Sequence, residues 1–450
     1  MIYNETIFMK KYYFYVLIPA LLALISTNFN AIAKEKQPTL QDLKQEIQQL
    51  KKEYQKKIDS LDEKLKDTQE SNDETQESVE QLEVNISQQG NQKSANTFNP
   101  GVGVILNGRV INQPKYFSFE IPGFFQAEES GPGDAGFQLG ESELNLNANV
   151  DDKFYASTTI AFGEGAEVEE AYLQTINLGS TSIKAGRFFS NIGYLASKHT
   201  HTDDFANRPL AYEAFLGGQF GDAGIQTTWL APTDIFWESG FELYRGDSFP
   251  AAGAANSGNG VWTAFSHLGG DIGDSQSWRM GLSILDADVV DLTSDNGDSF
   301  TGNNQITIAD FIYKWAPNGN RVDQELKLQG EYLSSNKEGL YNNNSLSPSS
   351  INFDQSGWYL EGVYRFARQW RMGIRTSKLT SEQLPIIFNN TLLDSSNGSP
   401  KQHSIMLDWS NSEFSRFRLQ YDSNNLNGSN ENVWILQYIA AFGAHGAHSF

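Results

Sequence analysis

The stretch Glu431-Asn-Val-Trp-Ile-Leu-Gln-Tyr-Ile-Ala-Ala-Phe-Gly-Ala-His-Gly-Ala-His-Ser-Phe450 carries the fold class. Successive side chains of a strand point to opposite faces. Trp434, Leu436, Tyr438, Ala440 and Phe442 therefore share one face, and Glu431, Val433, Gln437 and Ala441 share the other. The sequence then ends on an aromatic residue. Any antiparallel edge strand could read this way, so the upstream segments decide what this strand closes.

After Pro100 the same period of two recurs. Trp358, Leu360, Gly362, Tyr364 and Phe366 alternate with Tyr359, Glu361, Val363 and Arg365; Leu326, Leu328 and Tyr332 alternate with Glu325, Lys327, Gln329 and Glu331; Leu144, Leu146 and Ala148 alternate with Glu141, Glu143, Asn145 and Asn147. In each set one face is apolar and the other polar, with the polar face turned inward. Short turns fall at 151–153, 179–182, 231–234, 273–276, 317–322, 368–369 and 411–414. Longer connections fall around 114–136, 163–167, 194–221, 247–260, 292–303, 338–354, 383–400 and 423–430. Seven short and eight long connections in strict alternation join sixteen strands, with both ends of the meander on one side. That asymmetry, with an apolar outer face, predicts an all-β transmembrane barrel of about 16 antiparallel strands. The fourth, fifth and eighth segments do not alternate cleanly, and their register stays open.

The nine tryptophans test this arrangement independently. Trp229, Trp237, Trp278, Trp315, Trp370 and Trp409 sit beside short turns, and Trp262, Trp358 and Trp434 beside long connections. None is expected at mid-strand, as for aromatic girdles at two membrane interfaces.

Residues 1–100 read differently. Lys10-Lys11, the apolar run 12–25 and Ala31-Ile-Ala33 have the layout of a secretory signal peptide over 1–33, processed after Ala33. Met9 is an alternative start. Residues 34–90 lack glycine until Gly90 and space Leu40, Leu43, Ile47, Leu50, Tyr54, Ile58, Leu61 and Leu65 at threes and fours, resuming at Val79, Leu82 and Ile86. This is a coiled-coil seam, with Asn72 on it. Residues 91–100 form a linker, and the barrel occupies 101–450.

The 450 residues include no cysteine, which excludes disulfides and thiolate chemistry. Residues 1–100 hold 12 basic and 15 acidic residues and 101–450 hold 21 and 40, so the net charge of −22 resides mainly in the barrel region. That balance argues against nucleic acid as a partner and suits a lipid and lipopolysaccharide surface bridged by divalent cations. No serine-hydrolase elbow, zincin motif or phosphate loop occurs, and His403 and Ser404 point to opposite strand faces, so an enzyme is not expected.

Three sets of residues could carry function. Arg365, Arg371, Arg375, Arg416 and Arg418 are inward by parity, and Glu141, Glu143, Glu170, Glu238 and Glu242 are inward on strands that lie across the barrel from them. Together they predict a charged pore lining with a wall-to-wall field. The third long connection, 194–221, is rich in apolar residues (Phe205, Leu210, Tyr212, Phe215, Leu216) and carries Asp203, Asp204, Arg208 and Glu213. Apolar side chains left in water would forgo about 1.5–3 kcal/mol each, so this loop is expected to fold inward as a constriction. Within it Lys198-His-Thr-His-Thr-Asp-Asp204 groups His199, His201, Asp203 and Asp204, a ligand set that would suit zinc or copper. His445 and His448 add a second histidine pair.

The signal peptide, coiled coil and sixteen-stranded barrel resemble the phosphate-selective porin (O/P type) family. Gly140-Glu-Ser-Glu-Leu144, Val150-Asp-Asp-Lys-Phe-Tyr155, Lys184-Ala-Gly-Arg-Phe-Phe189, Trp229-Leu-Ala-Pro-Thr-Asp234 and the ending Gly443-Ala-His-Gly-Ala-His-Ser-Phe450 are similar to a related proteobacterial group sometimes labelled zinc-regulated TonB-dependent receptors. The resemblance spans about 100–450 and implies a trimeric channel in the bacterial outer membrane. The expectation is a homotrimeric porin that passes small hydrophilic solutes or ions by passive diffusion, with the coil in the periplasm. The alternatives are a zinc-related uptake protein using the loop histidines and a structural envelope tether.

Overall fold

The computed structural model describes residues 100–450 except 128–129, 164, 252–258, 295, 344–345, 397 and 444–450, together with Lys51, Lys52, Gln55 and Lys56. The chain divides into two compact units, Met1–Ala95 and Asn96–Phe450. In the first unit the four described residues are helical. The signal peptide, the remainder of the coiled coil, nearly all of the linker, and His445, His448 and Phe450 lie outside the described residues.

The second unit is a closed antiparallel barrel. Its elements are β1 (Gly101–Asn112), β2 (Gly136–Leu139), β3 (Ser142–Asn149), β4 (Phe154–Phe162), β5 (Ala166–Thr175), β6 (Thr181–Phe189), α1 (Leu210–Leu216), β7 (Gly221–Leu230), β8 (Phe236–Tyr244), β9 (Val261–Ile272), β10 (Gln276–Thr293), β11 (Ser299–Trp315), β12 (Glu325–Asn343), β13 (Leu346–Ala367), β14 (Trp370–Ser381), β15 (Lys401–Ser412), β16 (Ser415–Asn425) and β17 (Asn430–Gly443). Each strand pairs with its sequence neighbour, and β1 closes the ring on β17 from Gly103↔Gly443 to Asn112↔Trp434. The seventeen strands make sixteen staves, because β2 and β3 both pair with β1 and are two pieces of one stave. Closure of β1 on β17 removes the two edges that an open sheet would expose.

Alternation sets which side chains face out. On β17 Trp434, Leu436 and Tyr438 are exposed while Val433, Ile435, Gln437 and Ile439 are buried. On β13 Trp358 and Leu360 are exposed while Tyr359, Glu361 and Val363 are buried. Aromatic rings pair across strands on the outer face: Trp229 with Trp237 (5.8 Å) and Trp409 with Phe417 (6.0 Å) near the short turns, Tyr421 with Trp434 (4.7 Å) toward the long connections. The eighth segment, unreadable in sequence, becomes the regular strand β9. It turns Val261, Thr263, Phe265 and His267 inward, while small outward residues such as Ala264 and Ser266 blur its pattern.

Two expected long connections are instead strand. The regions 292–303 and 338–354 belong largely to β10–β13, which run 17 to 22 residues. Their Asn, Ser and Gly residues read as loop, but inward Leu292, Phe300, Tyr341, Ile351 and Phe353 are buried and hold the extended hairpins in register. Trp358 consequently lies well inside β13, paired with Tyr332. The connection expected at 163–167 shrinks to the few residues between β4 and β5.

The fourth segment failed to alternate because β5 contains a bulge. Thr159 pairs with Glu170 and Ile160 with Val168, leaving Glu169 as the extra residue. A bulge re-aims neighbouring side chains, and here Glu169 and Glu170 reach the same imidazole, that of His199.

Candidate functional site

After β6 the chain turns into the lumen. The hydroxyl of Ser190 donates to Glu242, whose other oxygen takes the N–H of Asn191 at 3.0 Å; Asn191 Nδ2 donates to Glu238 at 3.1 Å. Gly193 has φ +61°, and a Cβ there would stand 2.3 Å from Glu331 Oε2, so the chain passes the wall only as glycine. Glu331 on β12 then accepts the N–H of Tyr194 (3.1 Å), both oxygens taking the Tyr212 hydroxyl (3.0 and 2.9 Å), with the Tyr359 hydroxyl at 2.6 Å. The inward parity of Glu331 was legible in sequence; its role as the acceptor for the loop was not.

The helix α1 is seven residues long and every one is buried. A helix this short does not persist alone, so packing sustains it. Phe215 meets Phe124 edge-on at 5.7 Å and Tyr212 meets Tyr359 at 6.2 Å. Gly357 on β13 lets the helix close on the wall, since a Cβ there would sit 2.9 Å from Phe215 and 3.2 Å from Ala211. Ile121, Phe124 and Phe125 from the first long connection, and Phe388 and Leu393 from the one before β15, join this apolar core. Their tucking inward was not foreseen, although Ile121-Pro-Gly-Phe-Phe125 is an apolar run inside a connection.

Between the loop's start and α1, the segment 198–208 crosses between two oppositely charged walls, and its own charges are ordered to match. Its histidines meet the acidic wall: His201 Nδ1 lies 2.6 Å from Glu143, His199 Nε2 3.1 Å from Glu170, and the Thr200 hydroxyl donates to Glu141 at 2.9 Å. Its acidic end meets the basic wall. Asp204 accepts from Arg371 and Lys327, each at 2.8 Å. The carbonyl of Asp203 accepts from Arg418 at 2.7 Å, and that of His201 accepts from Arg416 at 2.7 Å. Arg375 donates to the Asn207 carbonyl at 2.7 Å, and the Ala206 N–H reaches Gln420 at 2.7 Å. Although burial opposes it, contacts with Glu143, Glu169 and Glu170 hold the His199 pKa well above the usual imidazole value. Burial pushes the Glu213 carboxyl up to about 7.

Several expected roles change. Arg371, Arg375, Arg416 and Arg418 do face inward, but they are nearly fully buried beneath the loop and bind it; Arg365 and the edge of Arg371 border the cavity at the short-turn end, and Arg365 is the less buried of the two. Glu242 is sealed by Ser190, Gln226 and Thr263. Glu238 is partly exposed and lies 3.5 Å from His267. Glu213 does not reach the arginine wall and instead accepts the N–H of Gly131 at 3.2 Å. The four expected metal ligands are not brought together. Asp203 pairs with Arg208 at 2.8 Å and Asp204 with the basic wall, while His199 and His201 turn to Glu143, Glu169 and Glu170. His403 is exposed and Ser404 buried, on opposite faces of β15.

The segment separates two polar cavities. One, of about 980 Å³, opens at the short-turn end and is lined by Lys198, Thr202 and Asp204 of the segment; the other, of about 660 Å³, lies toward the long connections and is lined by Thr200, Asp203, Asn207 and Arg208. Among the described lining residues the first has seven basic and three acidic side chains, Lys314, Arg321, Arg365 and Arg368 among the basic ones. The second has three basic and six acidic, Glu141, Glu167, Glu169 and Asp291 among the acidic ones. The fixed charge reverses sign across the partition.

The fold and site define a sixteen-stave barrel whose third long connection divides its own lumen. The chain belongs to the family of an uncharacterized protein of Aquifex aeolicus (strain VF5), with which it is 31% identical over 389 residues, 79% of this chain and 81% of that one. No protein-family model matches the chain. Among solved structures it is similar to the loop L8 deletion mutant of OmpT, an outer membrane protein of Vibrio cholerae (10% identity, 76% of this chain and 99% of that one, TM-score 0.49). It is similar also to the outer membrane channel DcaP of Acinetobacter baumannii (12%, 76% and 97%, 0.49) and to an anion-selective porin from Comamonas acidovorans (10%, 76% and 99%, 0.47).

Proposed function

We propose that this protein is a channel of the bacterial outer membrane that passes small hydrophilic solutes or ions by passive diffusion, with the 194–221 loop as its constriction. The observation that carries the reading is the segment 198–208, stretched between two charged walls with a polar cavity on either side. A closed barrel with apolar outward residues such as Leu282, Leu360 and Ile374, each more than half exposed, is stable only in an apolar surround. Eight residues separate Trp434 from Phe442, both exposed. That is roughly 27 Å of strand, or about 20 Å of height at the ~40° tilt of barrel strands, comparable to the ~25 Å apolar band between aromatic girdles. Export by the 1–33 signal and trimerisation through the 34–90 coil complete the proposal, with lipopolysaccharide around the barrel.

The direct test is removal of residues 198–208 with a short glycine-serine bridge, followed by single-channel recording in planar bilayers. The two cavities would merge, and conductance should rise several-fold with faster uptake of larger solutes. A correctly folded deletion variant with wild-type conductance would show that the loop does not limit passage.

A further inference from the structure

We propose that Glu143, Glu169, His199 and His201 form a binding centre for a zinc-class divalent cation, joining the loop to the acidic wall. The site is assembled from three parts of the chain: Glu143 on β3, Glu169 at the β5 bulge, and the two histidines of the loop. One ligand atom from each of Glu143, His199 and His201 lies within 4.8 Å of the others, and the same holds for Glu141, Glu143, Glu169 and His199.

The separations suit coordination. His199 Nδ1 stands 3.3 Å from Glu143 Oε1 and 3.5 Å from Glu169 Oε2, yet it makes no hydrogen bond, and Glu169 Oε2 also has no hydrogen-bond partner. Zinc binds nitrogen and carboxylate oxygen at about 2.0–2.2 Å, so the edge of its ligand tetrahedron is about 3.3–3.5 Å. These buried atoms are spaced like two such edges meeting at His199 Nδ1. The other nitrogen of that ring, Nε2, lies 3.1 Å from Glu170 Oε2. A carboxylate on the distal nitrogen of a ligating histidine fixes its tautomer and orientation. The bulge explains the arrangement: only where a strand carries an extra residue can Glu169 and Glu170 both address one imidazole. His201 Nδ1, now 2.6 Å from Glu143 Oε1, would supply the fourth ligand once that pair opens around the ion.

Charge and access agree with this. Glu141, Glu143, Glu169 and Glu170 converge on two imidazoles, and a divalent cation relieves their mutual repulsion. Glu141 and Glu169 also line the acidic cavity on the long-connection side, which would concentrate cations next to the site. The donor set, two nitrogens and two oxygens, favours zinc or a neighbouring first-row ion over calcium or magnesium.

The test uses the full chain, folded in detergent, stripped with a chelator and titrated with zinc by calorimetry, with metal content read by mass spectrometry. One equivalent per chain is expected. Joint His199→Ala and His201→Ala substitution, or Glu143→Gln, should weaken binding by more than a hundredfold. Glu170→Gln should weaken it by roughly 10–100-fold. His403→Ala, on the outer face, should leave it unchanged. Heat-modified gel migration shows whether each variant is folded, and X-ray absorption at the zinc edge of the unmodified protein needs no variant: it should show two imidazoles with oxygen completing the shell. Failure of the unmodified protein to retain zinc, or a zinc shell without imidazole, would overturn the proposal and leave His199 as an imidazolium that holds the carboxylates by itself. Folded double-histidine protein that binds zinc normally would overturn it as well. Binding is measured without conductance, so this result stands apart from the channel reading.

Discussion

Replacing Asp204 by Asn should loosen the loop from the basic wall without disturbing the barrel. Asp204 is 7% exposed and accepts from Arg371 and Lys327, each at 2.8 Å. Removing one member of a buried ion pair typically costs 3–5 kcal/mol, because the other charge is left without compensation. Here the cost is smaller for two reasons. Arg371 keeps Asp408, and Lys327 borders the 980 Å³ cavity, where water can take its ammonium. The amide oxygen of Asn also retains one acceptor. A net loss of about 2 kcal/mol remains, comparable to one charge-assisted hydrogen bond, and each 1.4 kcal/mol is tenfold in population. The detached form of the loop should therefore rise roughly 30-fold.

Hydrogen exchange of the folded protein reads this at the Ala206 amide, which is bonded across to Gln420 only while the loop is seated. Its protection should fall by about that factor, and single-channel traces should show a high-conductance substate more often. Asp203→Asn is the contrasting variant. The Asp203 carboxylate pairs with Arg208 inside the loop while its backbone carbonyl holds Arg418, so the side-chain change should move Ala206 protection much less. Equal protection in wild type and Asp204→Asn would refute the claim that charge pairing to the wall seats the loop.

Two further outcomes follow from the same geometry. Replacing Lys314, Arg321 and Arg368 by Gln removes three positive charges from the short-turn cavity, one of them paired with Glu325 at 3.9 Å, without touching the arginines that bind the loop; reversal potentials should shift toward cation preference and current rectification should diminish, and an unmoved reversal potential would mean that this cavity does not set selectivity. Deleting residues 35–90 removes the proposed coil seam and none of the barrel; the oligomer should dissociate at lower temperature on semi-native gels, and unchanged dissociation would assign assembly to the barrel walls alone.

The sequence by itself determined what depends on local periodicity. Side chains alternate along any extended chain, so Trp358 to Phe366 and Trp434 to Phe442 declared their outward faces, and the turns that punctuate them counted sixteen staves before any contact was known. The apolar loop 194–221 declared that it must be covered, since Leu210, Phe215 and Leu216 cannot stay in water cheaply. What only the tertiary structure decided was which surfaces meet. Arg371, Arg375, Arg416 and Arg418 looked like a bare charged lining because parity reports direction and not occupancy; the loop that buries them begins more than 160 residues earlier in the chain. His199, His201, Asp203 and Asp204 looked like one ligand set because they are adjacent in sequence, yet the opposite charges of the two walls pull the histidines and aspartates apart. The Glu169 bulge broke the alternation of its own segment, and that irregularity marked the place where two neighbouring carboxylates turn to the same ring. Strand direction is a property of a few consecutive residues, whereas pairing of charge across a lumen depends on closure of the whole barrel, and no local pattern encodes that closure.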